Sequence, residues 1–248
     1  RYIDPLTGNI VLGHEGLQQT EVNNYDLKLE NYFSYDEFVS LALFQKEFTN
    51  PIETVRTIND VDVQMSYRNA KSATSKGFEL GVRKKLGFLH QRLENYFVSA
   101  NYAWIDSTIT LDKDAEKNKT DEYIPYLTTD SRPMQGQSPY VANIKMGYDN
   151  IHTGRSAILL YNEYGERIAT LGINGNPDEY EQPFEKLDFV VKWQLNDTYD
   201  EQEKKIGYSL SFKAQNLLDS SVKITQGSEV TKEYKPGRKF SLSFSMKY

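Results

Sequence analysis

The residues of this 248-residue chain best equipped for chemistry are carboxylates, tyrosines and arginines gathered in polar stretches, and no set of them makes a catalytic centre. Ser220-Ser221-Val222-Lys223 fits the S-x-x-K pattern, but the partner motifs that such a nucleophile needs are missing. His14-Glu15 lacks the second histidine of H-E-x-x-H. The three histidines, His14, His90 and His152, fall in separate connections, so no haem or metal site is built on them. The chain is read as no enzyme, with no cofactor and no assigned metal ligands. Two acidic groups, Asp112, Asp114, Glu116, Asp121 and Glu122, then Asp178, Glu179, Glu181 and Glu185, have the chemistry to hold a hard cation, or equally to solvate a loop. Tyr123, Tyr126, Arg132, Tyr164, Arg167 and Tyr180 lie in or near the same stretches. Tyrosine rings stack on flat ligands and arginines pair with anionic groups, so these are the candidate small-molecule contacts; loop packing is the plainer role for the same residues.

The elements that must position them show period-two alternation almost throughout. In the last strand Phe240, Leu242, Phe244, Met246 and Tyr248 alternate with Lys239, Ser241, Ser243, Ser245 and Lys247, which puts apolar and polar side chains on opposite faces. The same pattern recurs upstream and predicts about nine strands, near 21–34, 37–56, 61–87, 95–110, 138–149, 154–167, 184–196, 205–216 and 237–248. The second of these and 154–167 alternate poorly. Several exceed the ~5–6 residues of a soluble strand and match the ~9–11 that a tilted strand needs to cross a bilayer. With the C-terminus periplasmic, the connections 35–36, 88–94, 150–153 and 197–204 fall at one end. The long ones, 111–137, 168–183 and 217–236, fall at the other with a shorter one near 57–60, the asymmetry of an outer-membrane barrel.

Composition agrees. Hydrophobic residues make up 38%, and no apolar run approaches the ~18–20 residues of a membrane helix, a test that barrel strands evade. The 18 Tyr and 12 Phe suit interfacial girdles, the absence of Cys excludes a disulfide scaffold, and a net charge of −6 disfavours nucleic acid as a partner. An odd strand count would leave an unpaired edge in hydrocarbon, so further strands are expected before Arg1, with residues 1–20 the tail of another outer loop. No signal peptide pattern opens the chain.

At this point the chain resembles the C-terminal part of a TonB-dependent outer-membrane receptor. The likeness runs through Asn24-Tyr25-Asp26-Leu27-Lys28-Leu29-Glu30, Phe44-Gln45-Lys46 with Asn50-Pro51-Ile52-Glu53, and Tyr67-Arg68-Asn69 with Gly77-Phe78-Glu79-Leu80. It continues in Gln137-Ser138-Pro139-Tyr140, Asn216-Leu217-Leu218-Asp219 and Pro236-Gly237-Arg238-Lys239-Phe240. Ala70-Lys71 replaces the glycine usual after Asn69, and Leu218 the usual Phe. The resemblance implies an all-β fold: an antiparallel transmembrane segment of a larger, 22-stranded barrel with a plugged lumen. It implies active import of a scarce nutrient, a siderophore-like metal chelate, a metal or a vitamin, with the six candidate contacts facing the outer vestibule. The carbohydrate-importing branch has its own C-terminal style, which is not seen here. Implied partners are the outer-membrane bilayer, the ligand, the TonB complex through an N-terminal region not in this sequence, and the barrel assembly machinery. The assembly machinery would read the terminal strand with Phe240, Phe244 and Tyr248. Two other classes compete: a non-transporting barrel with structural or adhesive loops, and a soluble sandwich that binds carbohydrate.

Overall fold

Long alternating runs make long strands, and their two-faced character fixes how they pair. The computed structural model describes residues 2–3, 10–58, 63–111, 129, 131–172, 175–196 and 207–247, with strands numbered β1–β18 in chain order. Nine strands form a single meander in sequence order: β3 (Glu21–Ser34), β4 (Glu37–Thr49), β7 (Ser72–Lys85), β8 (Tyr96–Thr110), β10 (Tyr140–Asn150), β11 (Arg155–Tyr164), β14 (Phe184–Gln194), β15 (Gly207–Gln215) and β18 (Lys239–Lys247). Each is antiparallel to the next, and β9 (Ser131–Arg132) adds a short rung to β8.

Register sorts the side chains by face. Leu27, Leu43, Phe78, Trp104 and Tyr140 lie side by side, and Met146, Leu159, Phe189, Ala214 and Phe240 form a parallel row. On the other face Arg83, Ser99, Lys145, Leu160 and Asp188 are neighbours, and Lys186 Nζ pairs with Asp188 at 2.8 Å. Among the described residues no second sheet is paired over the apolar face, as a sandwich would require. Leu29, Leu242 and Phe244 are 62%, 71% and 62% exposed there. The buried apolar clusters lie instead at the end with the long connections. One is Ala70, Ala73, Ile109 and Leu111 under Phe48 and Met134; the other is Val55, Ile168 and Leu171 under Tyr180.

Two predicted strands are corrected. The runs 37–56 and 61–87 do not cross the sheet unbroken: each splits, into β4 and β5 (Ile52–Ile58), and into β6 (Val63–Asn69) and β7. Asn50 takes φ 53°, and Pro51 has no N–H to give the ladder, so both strands leave the main sheet and pair with each other. Asn69 pins the departure, donating to the carbonyls of Asn50 (2.7 Å) and Gln18 (2.9 Å) and accepting from Gln18 N–H. β5 and β6 are thus the arms of a hairpin that leaves the main sheet at 50, and residues 59–62 between them lie outside the described residues. β6 also carries β2 (Ile10–Val11) in parallel, with β1 (Tyr2–Ile3) beyond it, so part of 1–20 belongs to this sheet. The stretches 168–183 and 217–236 likewise hold strands. β12 (Arg167–Thr170), β13 (Glu179–Glu181), β16 (Val222–Gln226) and β17 (Glu229–Tyr234) pair in that order as a third sheet.

The poor alternation of β4 and β11 has a cause. Phe44 and Phe48 in β4, and Ile158 and Leu160 in β11, point to the polar face, so these strands are apolar on both sides. Phe44 lies over Gly77, where an added Cβ would stand 2.8 Å from its ring and 2.0 Å from the Trp104 carbonyl oxygen. Gly77→Val must therefore open the β7–β8 ladder. The expected cost is at least ~1–3 kcal/mol, read as a lower thermal unfolding midpoint, and an unchanged midpoint would contradict the packing.

Candidate functional site

Three connections converge at the long-connection end: the β5–β6 hairpin, the segment 129–139, and β12–β13. The Val55, Ile168 and Leu171 cluster draws them together, and polar ties fix their alignment. Arg56 meets Glu179 with two parallel bonds of 3.0 and 3.2 Å, a fork geometry that holds orientation as well as charge. Gln135 accepts from Thr54 N–H at 3.3 Å and donates to the Ala169 carbonyl at 3.1 Å. Asp178 is buried, accepting from Gly172 N–H at 2.7 Å and from the Thr129 hydroxyl at 3.2 Å. Arg132 Nη2 donates to Glu53 Oε2 at 2.7 Å with both side chains buried, 3% and 6% exposed. Desolvation lifts the Glu53 carboxyl above the usual carboxylate range, against the pull of Arg132 and with help from the Asp178 charge.

Below this wall the polar face carries two adjoining concavities. One, of about 280 Å³, is lined by Asp26, Phe44, Lys46, Glu79, Met134 and Gln137; the other, of about 210 Å³, by Asp106, Pro133, Glu166, Arg167, Ile168 and Tyr180. Ile105 and Gln137 line both. Apolar surface beside charges of both signs and an amide is the kind of lining that small-molecule sites have.

Of the candidate contacts, Arg167 and Tyr180 line the second concavity. Arg167 forks onto Glu181 (3.0 and 3.1 Å) and lies 4.4 Å over the Tyr164 ring, and the Tyr164 hydroxyl donates to the same carboxylate. Burial, followed by the neighbouring Asp178 charge, raises the Tyr180 hydroxyl's pKa, so the phenol stays protonated as a donor. Arg132 is in the wall. Tyr123 and Tyr126 lie outside the described residues, as do the carboxylates of 112–122. In the second acidic group Glu179 and Glu181 are taken by Arg56 and Arg167, and Glu185 accepts from the Tyr161 hydroxyl at 2.9 Å. Phe240 and Phe244 stand on the apolar face, stacked on Phe212 and Tyr208; Tyr248 lies outside the described residues. The sequence offers Phe44, Glu53 and Gln137 only within family-like runs, with no site role for them or for Met134. The doubled apolar pattern at Phe38-Val39 and Leu41-Ala42-Leu43-Phe44 was the available sign that β4 also covers something on its polar side.

Nine sequential antiparallel strands with one open apolar face and long structured connections at one end define a sheet of the outer-membrane β-barrel type. From Trp104 to Tyr96 the face runs about 27 Å along the strand, or about 20 Å across a bilayer at a ~40° tilt. Rings gather near both ends: Phe78, Trp104, Tyr102 and Tyr140 at one, and the Tyr96–Tyr148 pair, 5.2 Å apart, at the other. The chain belongs to the family of TonB-dependent receptor-like β-barrels, whose model matches residues 2–217. Among solved structures it is similar to the outer membrane transporter YddB from Escherichia coli, with 17% identity over 98% of this chain and 34% of that one, at a TM-score of 0.61. It is also similar to a variant of the ferric enterobactin receptor PfeA from Pseudomonas aeruginosa (17% identity, 94% of this chain, 32% of that one, TM-score 0.57). The siderophore receptor PirA from Acinetobacter baumannii is a further match (15%, 94%, 32%, 0.56). At such identities the likeness is one of fold, and the chain spans about a third of each of these structures. No curated protein sequence matches.

Proposed function

We propose that this chain is the C-terminal portion of an outer-membrane barrel that actively imports a small scarce nutrient, a siderophore-like metal chelate, a metal or a vitamin. The intact barrel would have 22 strands around a plug, with energy delivered by TonB through the region that precedes this chain and the terminal strand read by the assembly machinery. The observation that carries the proposal is the pairing of a lipid-compatible outer face with a tied outer wall above concavities on the inner face. Arg167 and Tyr180 are assigned as ligand contacts. Tyr164 and Glu181 hold Arg167 in place, and Arg132 holds the wall; Tyr123 and Tyr126 complete the proposed contact set. Family membership supports the import reading, and the solved relatives named as ferric enterobactin and siderophore receptors support the chelate class.

The test is calorimetric titration of the intact protein in detergent with ferric catecholates, ferric hydroxamates, ferric citrate and cobalamin. One of these is expected to bind, and Arg167→Ala and Tyr180→Ala should each weaken it about tenfold, ~1.4 kcal/mol. Binding to none of them, or binding that both substitutions leave unchanged, would overturn the site assignment.

A further inference from the structure

We propose that the connection between β7 and β8 is an interfacial anchor, inserting Phe88 and Leu89 into the phospholipid leaflet at the short-turn end of the barrel. The proposal rests on the outer-membrane reading above and extends it to an element outside the strands. The segment is ordered by its own hydrogen bonds. Leu86–Phe88 and Gln91–Leu93 are successive 3-10 turns, closed by Leu89 N–H to Leu86 O (3.0 Å), Leu93 N–H to His90 O (2.8 Å) and Glu94 N–H to Gln91 O (3.2 Å). Arg92 N–H adds a cap on His90 Nδ1 at 3.1 Å. At Gly87 an added Cβ would sit 3.2 Å from Glu94 Cα, so glycine lets the two limbs close.

This built element buries none of its turn residues and holds Phe88 and Leu89 66% and 63% exposed. Their direction is given by Lys84. It pairs in register with Val98, and Val98 with Met146, which puts Lys84 on the apolar face. Its ammonium lies 5.1 Å from the Phe33 ring and 5.8 Å from the Phe88 ring. Phe88 is therefore on the apolar side, continuing the belt of Phe33 and Tyr96 past the strand ends. The charged groups of this end carry both signs, Lys84 bonded to Glu37 at 3.0 Å and the connection itself holding Arg92 and Glu94, which matches zwitterionic headgroups rather than a strongly charged partner. A ring at the boundary, an adjoining leucine and a lysine rising to the headgroups form an interfacial foot.

The experiment places nitroxide labels at Phe88→Cys, Leu89→Cys, Leu242→Cys and Lys232→Cys, one at a time, in the intact protein. The labelled protein is reconstituted in vesicles of phosphatidylethanolamine with a minor share of phosphatidylglycerol. All four sites are exposed, and heat-modifiable gel mobility verifies that each variant is folded. The ratio of oxygen to nickel-chelate accessibility at 88 and 89 should exceed that at 232 severalfold and approach that at 242. Ratios at 88 and 89 equal to that at 232, with 242 lipid-like, would overturn the anchor and leave the barrel reading intact. Labels at 88 and 89 shielded from both reagents would overturn it in favour of a protein seat. A water-like ratio at 242 would sink the barrel reading, and the anchor with it.

Discussion

Replacing Arg132 with alanine should lower stability by about 3–5 kcal/mol, one of the two largest effects expected of any single substitution here. The guanidinium lies 2.7 Å from the Glu53 carboxylate in a site where both are buried, and its removal strands an anion. The same reasoning limits the pair's own worth: Arg132→Met with Glu53→Leu should restore much of the loss, because neither charge then remains to be desolvated. Urea titration of the detergent-solubilised protein would measure both variants. A double variant as weak as Arg132→Ala would show that the wall needs the ions themselves. The pH dependence follows from the raised Glu53 value. The folded protein keeps this proton at a pH where the unfolded chain has released it. Glu53 thus contributes most to stability below its unfolded value, and that contribution fades as pH rises through the folded value. Glu53→Gln should flatten that fade between acidic and neutral pH.

Leu242→Arg should cost about 2–4 kcal/mol in the membrane-embedded protein, while Ser243→Arg, one residue along the same strand, should be close to neutral. The two side chains differ in face: Leu242 pairs across from Phe212 on the apolar side, and Ser243 from Ser211 on the polar side. Leu242 is already 71% exposed, so in a water-bathed sheet an arginine there would change stability by no more than ~0.5 kcal/mol. Equal tolerance at the two positions would therefore contradict the lipid-facing assignment.

Most of the nine-strand sheet was legible in the sequence because strict alternation fixes face, and long runs fix length. The breaks at Asn50-Pro51 and Ala70-Lys71 were not read, although Pro51 inside a strand was a warning. Alternation continues through Thr54, Val55 and Arg56 after the chain has left the main sheet, so periodicity alone cannot tell which sheet a residue joins. The outer strands β12, β13, β16 and β17 were hidden for a related reason: they are short, and only the β13–β16 pairing, between segments far apart in the chain, joins their two hairpins into one sheet. Of the site, arginines and tyrosines near 164–180 were visible as residue types. That Arg132 would meet Glu53 was not, since the partners are 79 positions apart and only the convergence of three connections brings them together.

The most direct measurement of the central claim is fractionation and gel mobility of the intact gene product from cells. An outer-membrane barrel predicts a β-rich species that sediments with the outer membrane, needs detergent for extraction, and shifts in mobility only after boiling. A β-rich protein recovered in the soluble fraction without detergent, with one mobility before and after heating, would contradict it.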